Sequence, residues 1–176
     1  MRKGNPGAIL FLLAISLCSA GAKPRLLPPS AFSELPPAIV RSLESRGCQI
    51  PQLQRRKRNN VIQGSFLKSG QTDWAVLCTT KKLTELLVFE NGLSEQVMMV
   101  SSSRNGFYSW AIDTIPTREV PRFKDKKPFE VDHDGLFSVI EFGDPDAGCF
   151  YCYSAEGKTL YDDHGQWVEL SGYIAN

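Results

Sequence analysis

The sequence predicts a mainly β (α+β) fold, an antiparallel β-meander domain with one N-terminal helix. Two observations lead there, and a third sets the opening segment apart from the fold. From Asn60 onward, short β-rich runs alternate with turn residues at the spacing of hairpin-connected strands. One amphipathic stretch near residues 36–47 carries helix punctuation at both ends. The opening residues, Arg2 and Lys3, then an apolar run over 8–17, then Ala20-Gly21-Ala22, have the three parts of an export signal cut after Ala22.

In chain order, residues 1–22 are the expected signal peptide, and their removal leaves 154 of 176 residues, the size of one domain with one core. The apolar run is shorter than the roughly 20 residues a membrane helix needs, so no integral membrane segment is expected after signal removal. A lipid anchor needs a small residue before Cys18, where Leu17 stands. Residues 23–35 are a Pro-rich lead-in whose Pro28-Pro29 step predicts an extended tether. A single β-rich domain then occupies 36–176. Pro36 and Pro37 suit the first helical positions, Ile39, Val40 and Leu43 form an apolar stripe for a sheet, and Gly47 supplies the stop.

Strands are expected at 61–66, 73–79, 83–90, 94–100, 107–112, 136–142, 149–154 and 166–170. Asn91-Gly92 and Glu156-Gly157 are the expected turns, each placing glycine where positive φ is needed. Residues 116–128, with three prolines and several lysines, are expected to be a loop.

Export decides how the cysteines are read. Cys48, Cys78, Cys149 and Cys152 remain in a compartment that permits disulfides, with three possible connectivities. Cys48 with Cys78 is favoured, and would stabilise by about 3–4 kcal/mol on the chain-entropy argument. Cys149 and Cys152 would lie about 10 Å apart on opposite faces of a straight strand, so their bridge requires a bend at Gly148. Redox catalysis needs the first cysteine of such a pair at a helix start, whereas Phe150, Tyr151 and Tyr153 indicate a strand. A four-cysteine zinc site needs two close pairs and the chain has one. No cofactor is expected.

The formal net charge of +1 falls to about −1 once Arg2 and Lys3 are removed, a balance with no general attraction for nucleic acid or anionic lipid. The basic run Arg55-Arg56-Lys57-Arg58 lacks interleaved aromatics for base stacking and is expected as a solvated loop. None of Asn59, Asn60, Asn91 or Asn105 begins a glycan-acceptor triplet, which favours a bacterial source.

Residues 60–76, NVIQGSFLKSGQTDWAV, resemble the integrin-α type repeat called FG-GAP or VCBS through Gly64, Phe66, Gly70, Asp73 and Ala75. The resemblance implies a strand-loop-strand shape. Family members hold calcium with loop carboxylates, but Ser65, Leu67 and Ser69 stand where those acids belong and only Asp73 keeps one. One copy implies no propeller. The C-terminal pattern around Asp134-Gly135, Phe150-Tyr151-Cys152-Tyr153 and Gly165-Gln166-Trp167 looks like the tail of small exported bacterial proteins with no known activity.

Both histidines lie in acidic turns, Asp132-His133-Asp134-Gly135 and Asp162-Asp163-His164-Gly165. If the turns converge they offer mixed nitrogen and oxygen ligands to a divalent metal; the bland alternative is that Asp caps turns. Asp144 and Asp146 beside Pro145, with Asp132 and Asp134, are candidates for paired-carboxylate chemistry, which needs a defined separation in a cleft. Trp74, Trp110, Trp167 and the tyrosines around Tyr151 form either core packing or a sugar-binding surface. Ser101-Ser102-Ser103 has no nucleophile frame. The expectation is a secreted or periplasmic, non-catalytic β-rich domain that binds a protein or glycan in the periplasm or envelope. The alternative is a metal-dependent hydrolase using the His133 and His164 turns.

Overall fold

A computed structural model of the chain describes residues 25–52, 58–81, 83–103, 109–124, 127–143 and 153–170, apart from the side chains of 109–110, 139–143 and 153–156. The segment expected to be a signal peptide, Cys149, Cys152, Asp144 and Asp146 lie outside the described residues. The fold is mainly β with one α-helix, and its main sheets are two consecutive antiparallel meanders. Sheet I has the order β3 (Val61–Gly64), β4 (Asp73–Thr79), β5 (Thr84–Phe89), β6 (Val97–Ser103). Sheet II joins β7 (Ser109–Ile115), β10 (Gly135–Gly143), β11 (Tyr153–Asp163) and β12 (Gln166–Leu170) in that spatial order.

The layers follow from the alternation of side chains along β4, which is buried on both faces. Trp74, Val76 and Cys78 meet Ile39 and Leu43 of helix α1 (Pro37–Ser45), together with Phe32, Leu87 and Phe89. Ala75 and Leu77 face the other way, onto Phe66, Ile112 of β7 and Leu136 of β10. The outer face of sheet II is covered by the connection over residues 116–134, whose Val120, Phe129 and Val131 pack on Ile115, Phe137, Tyr161 and Leu170. That connection is not loop throughout: β8 (Phe123–Lys124) and β9 (Lys127–Pro128) pair as a small hairpin.

Helix α1 ends as its glycine predicts. Gly47 takes φ +72° and donates to Glu44 O at 2.9 Å, and the next residue, Cys48, donates to Leu43 O at 3.0 Å. This Schellman arrangement satisfies two terminal carbonyls. It also delivers Cys48 to Cys78 on β4, with which it forms a disulfide across a Cα–Cα distance of 5.0 Å, as favoured from the sequence.

Two further expectations are corrected. The lead-in is not a free tether: β1 (Arg25–Leu27) pairs antiparallel with β2 (Ile50–Gln52), and a 3-10 turn over Pro29–Ala31 follows. Glu156-Gly157 is not a turn but the middle of β11, paired with Ile140 and Val139 of β10. Glycine is required there because the Phe137 ring lies over it; a Cβ at Gly157 would stand 2.5 Å from that ring. The edges of other strands shift by a few residues, except that β11, expected to end at Ser154, runs on to Asp163. β6 begins at Val97, because a 3-10 turn over Glu90–Gly92, with Asn91 at φ 52°, is followed by four residues before pairing resumes.

Candidate functional site

Asp73 opens β4 and is fully buried. Its Oδ2 accepts the backbone N–H of Phe66 at 2.9 Å and of Leu67 at 3.0 Å, while Oδ1 accepts Gln71 Nε2 at 2.7 Å and the Asn91 N–H at 2.9 Å. A carboxylate has about four lone-pair positions, and donors from the chain itself fill them. The aspartate that the integrin-like pattern keeps therefore shapes the loop between β3 and β4 and ties it to the β5–β6 turn.

The neighbouring acid, Asp134, has a similar role. Its Oδ2 accepts the Ser65 N–H at 3.1 Å and its Oδ1 accepts the N–H and hydroxyl of Thr117 at 3.0 and 2.9 Å, joining the β3–β4 loop to the covering connection. Asn60, buried at φ 68°, is a third junction. Its Nδ2 donates to Pro51 O at 2.7 Å, its Oδ1 accepts the Ile112 N–H at 3.0 Å, and its carbonyl accepts the Leu77 N–H at 3.0 Å, so β2, β4 and β7 meet there. Asp134 was read from the sequence as a candidate carboxylate for metal or acid-base chemistry, whereas Asn60 was not read as a site. The available signal was Asn60 itself, since asparagine is among the few residues that tolerate left-handed backbone.

The two acidic histidine turns lie at one end of sheet II. His133 Nδ1 is 2.6 Å from Asp132 Oδ1 and 2.9 Å from the Tyr161 hydroxyl, and the imidazole stacks on the Tyr161 ring at 4.1 Å. The Tyr161 hydroxyl also donates to Asp132 Oδ1 at 2.9 Å. The His133 bond, then the Tyr161 bond, hold the Asp132 carboxyl below its usual range. Because an ionised carboxylate only accepts, the shared proton sits on Nδ1 of His133.

Burial then decides the chemistry. The Asp132 side chain is 79% exposed and that of His133 only 6%, and Nε2 of His133 is buried without a hydrogen-bond partner. A catalytic dyad has the reverse arrangement, with the carboxylate buried behind the ring and the free nitrogen open to substrate. His164, in the β11–β12 turn at φ 55°, is fully solvated and bonds Asp163 through Nδ1 at 2.9 Å. That bond first, and the charges of Asp163, Asp132 and Asp162 after it, raise its pKa above the ordinary imidazole value. Asp132 of the other turn is the smaller, through-space part of that effect. Yet among the described residues no group of three or more His, Cys, Asp or Glu is placed to hold a metal ion.

The aromatic candidates divide likewise. Trp74 belongs to the helix-side core, and Trp167 packs against the inter-sheet core. The side chains of Trp110 and Tyr151 lie outside the description. Of the basic run, Arg58 is anchored: its guanidinium donates to Ala31 O and lies 5.9 Å from the Phe32 ring centre. Residues 55–57 lie outside the described residues.

One open surface was not anticipated. Among the described strands β6 pairs with β5 alone. The strand, Val-Met-Met-Val-Ser-Ser-Ser, carries no charge, and Met99 is 59% exposed. Edge strands are ordinarily blunted with lysine or proline. The partial device here is a register shift opposite Leu86 and Leu87. In comparisons with known proteins, the chain matches no family model, no curated protein and no solved structure.

Proposed function

We propose that the chain is an exported, non-catalytic β-rich domain that binds a protein partner in the periplasm or envelope, adding an extended segment of that partner to the β6 edge. The uncharged strand from Val97 to Ser102, paired with β5 alone among the described strands and with Met99 exposed, carries the reading. Unpaired backbone groups on such an edge supply affinity for a strand, and alternate side chains supply selectivity. The titratable groups support the same view, because Asp73, Asp134 and the Asp132–His133–Tyr161 network are committed to joining loops. The core positions of Trp74 and Trp167 favour a protein over a glycan. The buried Cys48–Cys78 bridge is compatible with maturation where thiols oxidise.

Affinity capture from envelope extract tests the proposal, with glycan arrays run on the same preparation. Wild type should retain a partner that the variant Met99→Lys/Ser102→Lys, charged along the edge, loses by at least about tenfold, since like-charged edges oppose strand addition. Equal capture by both proteins, or a glycan signal with no protein partner, would refute the edge reading.

A further inference from the structure

The near-zero net charge of the chain conceals a local excess on the β8–β9 hairpin. Residues 122–127 read Arg-Phe-Lys-Asp-Lys-Lys, four cations against one carboxylate. The Phe129 N–H donates to Arg122 O at 2.8 Å, closing the base of the hairpin, and Phe123 and Lys124 pair with Pro128 and Lys127. The base is held down by Val120, Phe129 and Val131 in the core over sheet II. On β8 Phe123 is 56% exposed, the large apolar side chain least explained by packing in this layer. Arg118 is partnered by Glu119 at 3.2 Å, whereas Arg122, Lys124 and Lys127 have no ion-pair partner among the described residues.

We propose that this hairpin is a peripheral membrane-docking element, in which Phe123 enters the interface of an anionic phospholipid bilayer while Arg122, Lys124 and Lys127 meet the headgroups. The charge is complementary to such a surface, and an aromatic ring is suited to the boundary between headgroup and acyl chain. With two residues in each of its strands the hairpin is small for a stable protein interface, which takes about 800 Å² from each partner. It also offers one aromatic ring, where single-stranded nucleic acid needs a row of them. Docking through this hairpin uses the layer over sheet II and is independent of the β6 edge in sheet I.

Cosedimentation with phosphatidylcholine vesicles, with and without phosphatidylglycerol, tests it. Wild type, Phe123→Ser and Lys124→Gln/Lys127→Gln are compared with identical N termini, so that the apolar run over 8–17 contributes equally to each. Wild type should bind the anionic vesicles more tightly than the neutral ones and release as salt rises. Each lysine removed should weaken binding about fivefold, and the serine at 123 about tenfold. Unchanged melting temperatures exclude unfolding as the cause. The proposal is overturned by equal binding to both vesicle types, by retention in Phe123→Ser, or by a lysine-dependent preference for polyglutamate over anionic vesicles, which would mark an acidic polypeptide as the partner.

Discussion

Replacing Asp73 by asparagine keeps shape and volume but exchanges two acceptor sites for two donors. The cheapest placement puts the new NH₂ where Oδ1 stands, because Gln71 can turn its amide to accept from it. Even so the part-buried bond from the Asn91 N–H loses its acceptor, and the bonds from Phe66 and Leu67 lose a charged partner. Hydrogen bonds to a charged group contribute about 1.5–3 kcal/mol each. Asp73→Asn should therefore lower stability by about 2–4 kcal/mol and Asp73→Ala, which abandons every acceptor, by about 4–6 kcal/mol. Both are large against the 5–15 kcal/mol typical of a domain. Urea unfolding followed by tryptophan fluorescence measures this, with the disulfide oxidised throughout and the m-value checked for constancy. Gln71→Ala is the mild control at about 1 kcal/mol. A loss below about 1 kcal/mol in Asp73→Asn would refute the account of a saturated carboxylate. So would a calcium-induced rise in melting temperature that this substitution abolishes.

Removing the disulfide by Cys48→Ala/Cys78→Ala, whose partners are 30 residues apart, should cost about 3–4 kcal/mol, read from the same unfolding curves. Gly157→Ala should destabilise by about 1–3 kcal/mol through collision with the Phe137 ring. Adding Phe137→Leu should recover part of that loss, and a strictly additive double mutant would contradict the contact. The titrations of Asp132 and His164 have opposite signs. The lowered pKa of Asp132 gives stability that is present above its unfolded value and lost as pH falls through the folded one, so Asp132→Asn should be less stable than wild type at neutral pH and converge with it in acid. The raised pKa of His164 acts below its unfolded value and fades as pH rises through the folded one. An NMR titration should place His164 above the free imidazole value and return it there in Asp163→Asn.

How far the sequence speaks depends on whether a signal is local. β4 and β12 were legible residue for residue, at Asp73–Thr79 and Gln166–Leu170, because their β-prone runs end at turn residues on both sides. Helix α1 was legible through its prolines, its Ile39 and Leu43 stripe, and Gly47. Gly157 misled because glycine alone signals a turn, and the ring that makes it a strand residue belongs to Phe137, twenty positions earlier. β1 and β2, three residues each, are too short to show a period and exist by pairing with one another. At the histidine turns the carboxylate neighbours were evident in the sequence. Which of Asp132 and His133 is buried depends on Tyr161 of β11 lying against the ring, and no spacing encodes that.

The order of the sheets also bears on how the protein is made. Helix α1, sheet I and both halves of the Cys48–Cys78 bridge all precede Ser103. A chain that emerges N-terminus first can therefore close its covalent link and assemble that half before the later strands exist. The first meander then serves as a preformed platform, and Asn60 already holds an amide oxygen ready for the Ile112 N–H when β7 arrives.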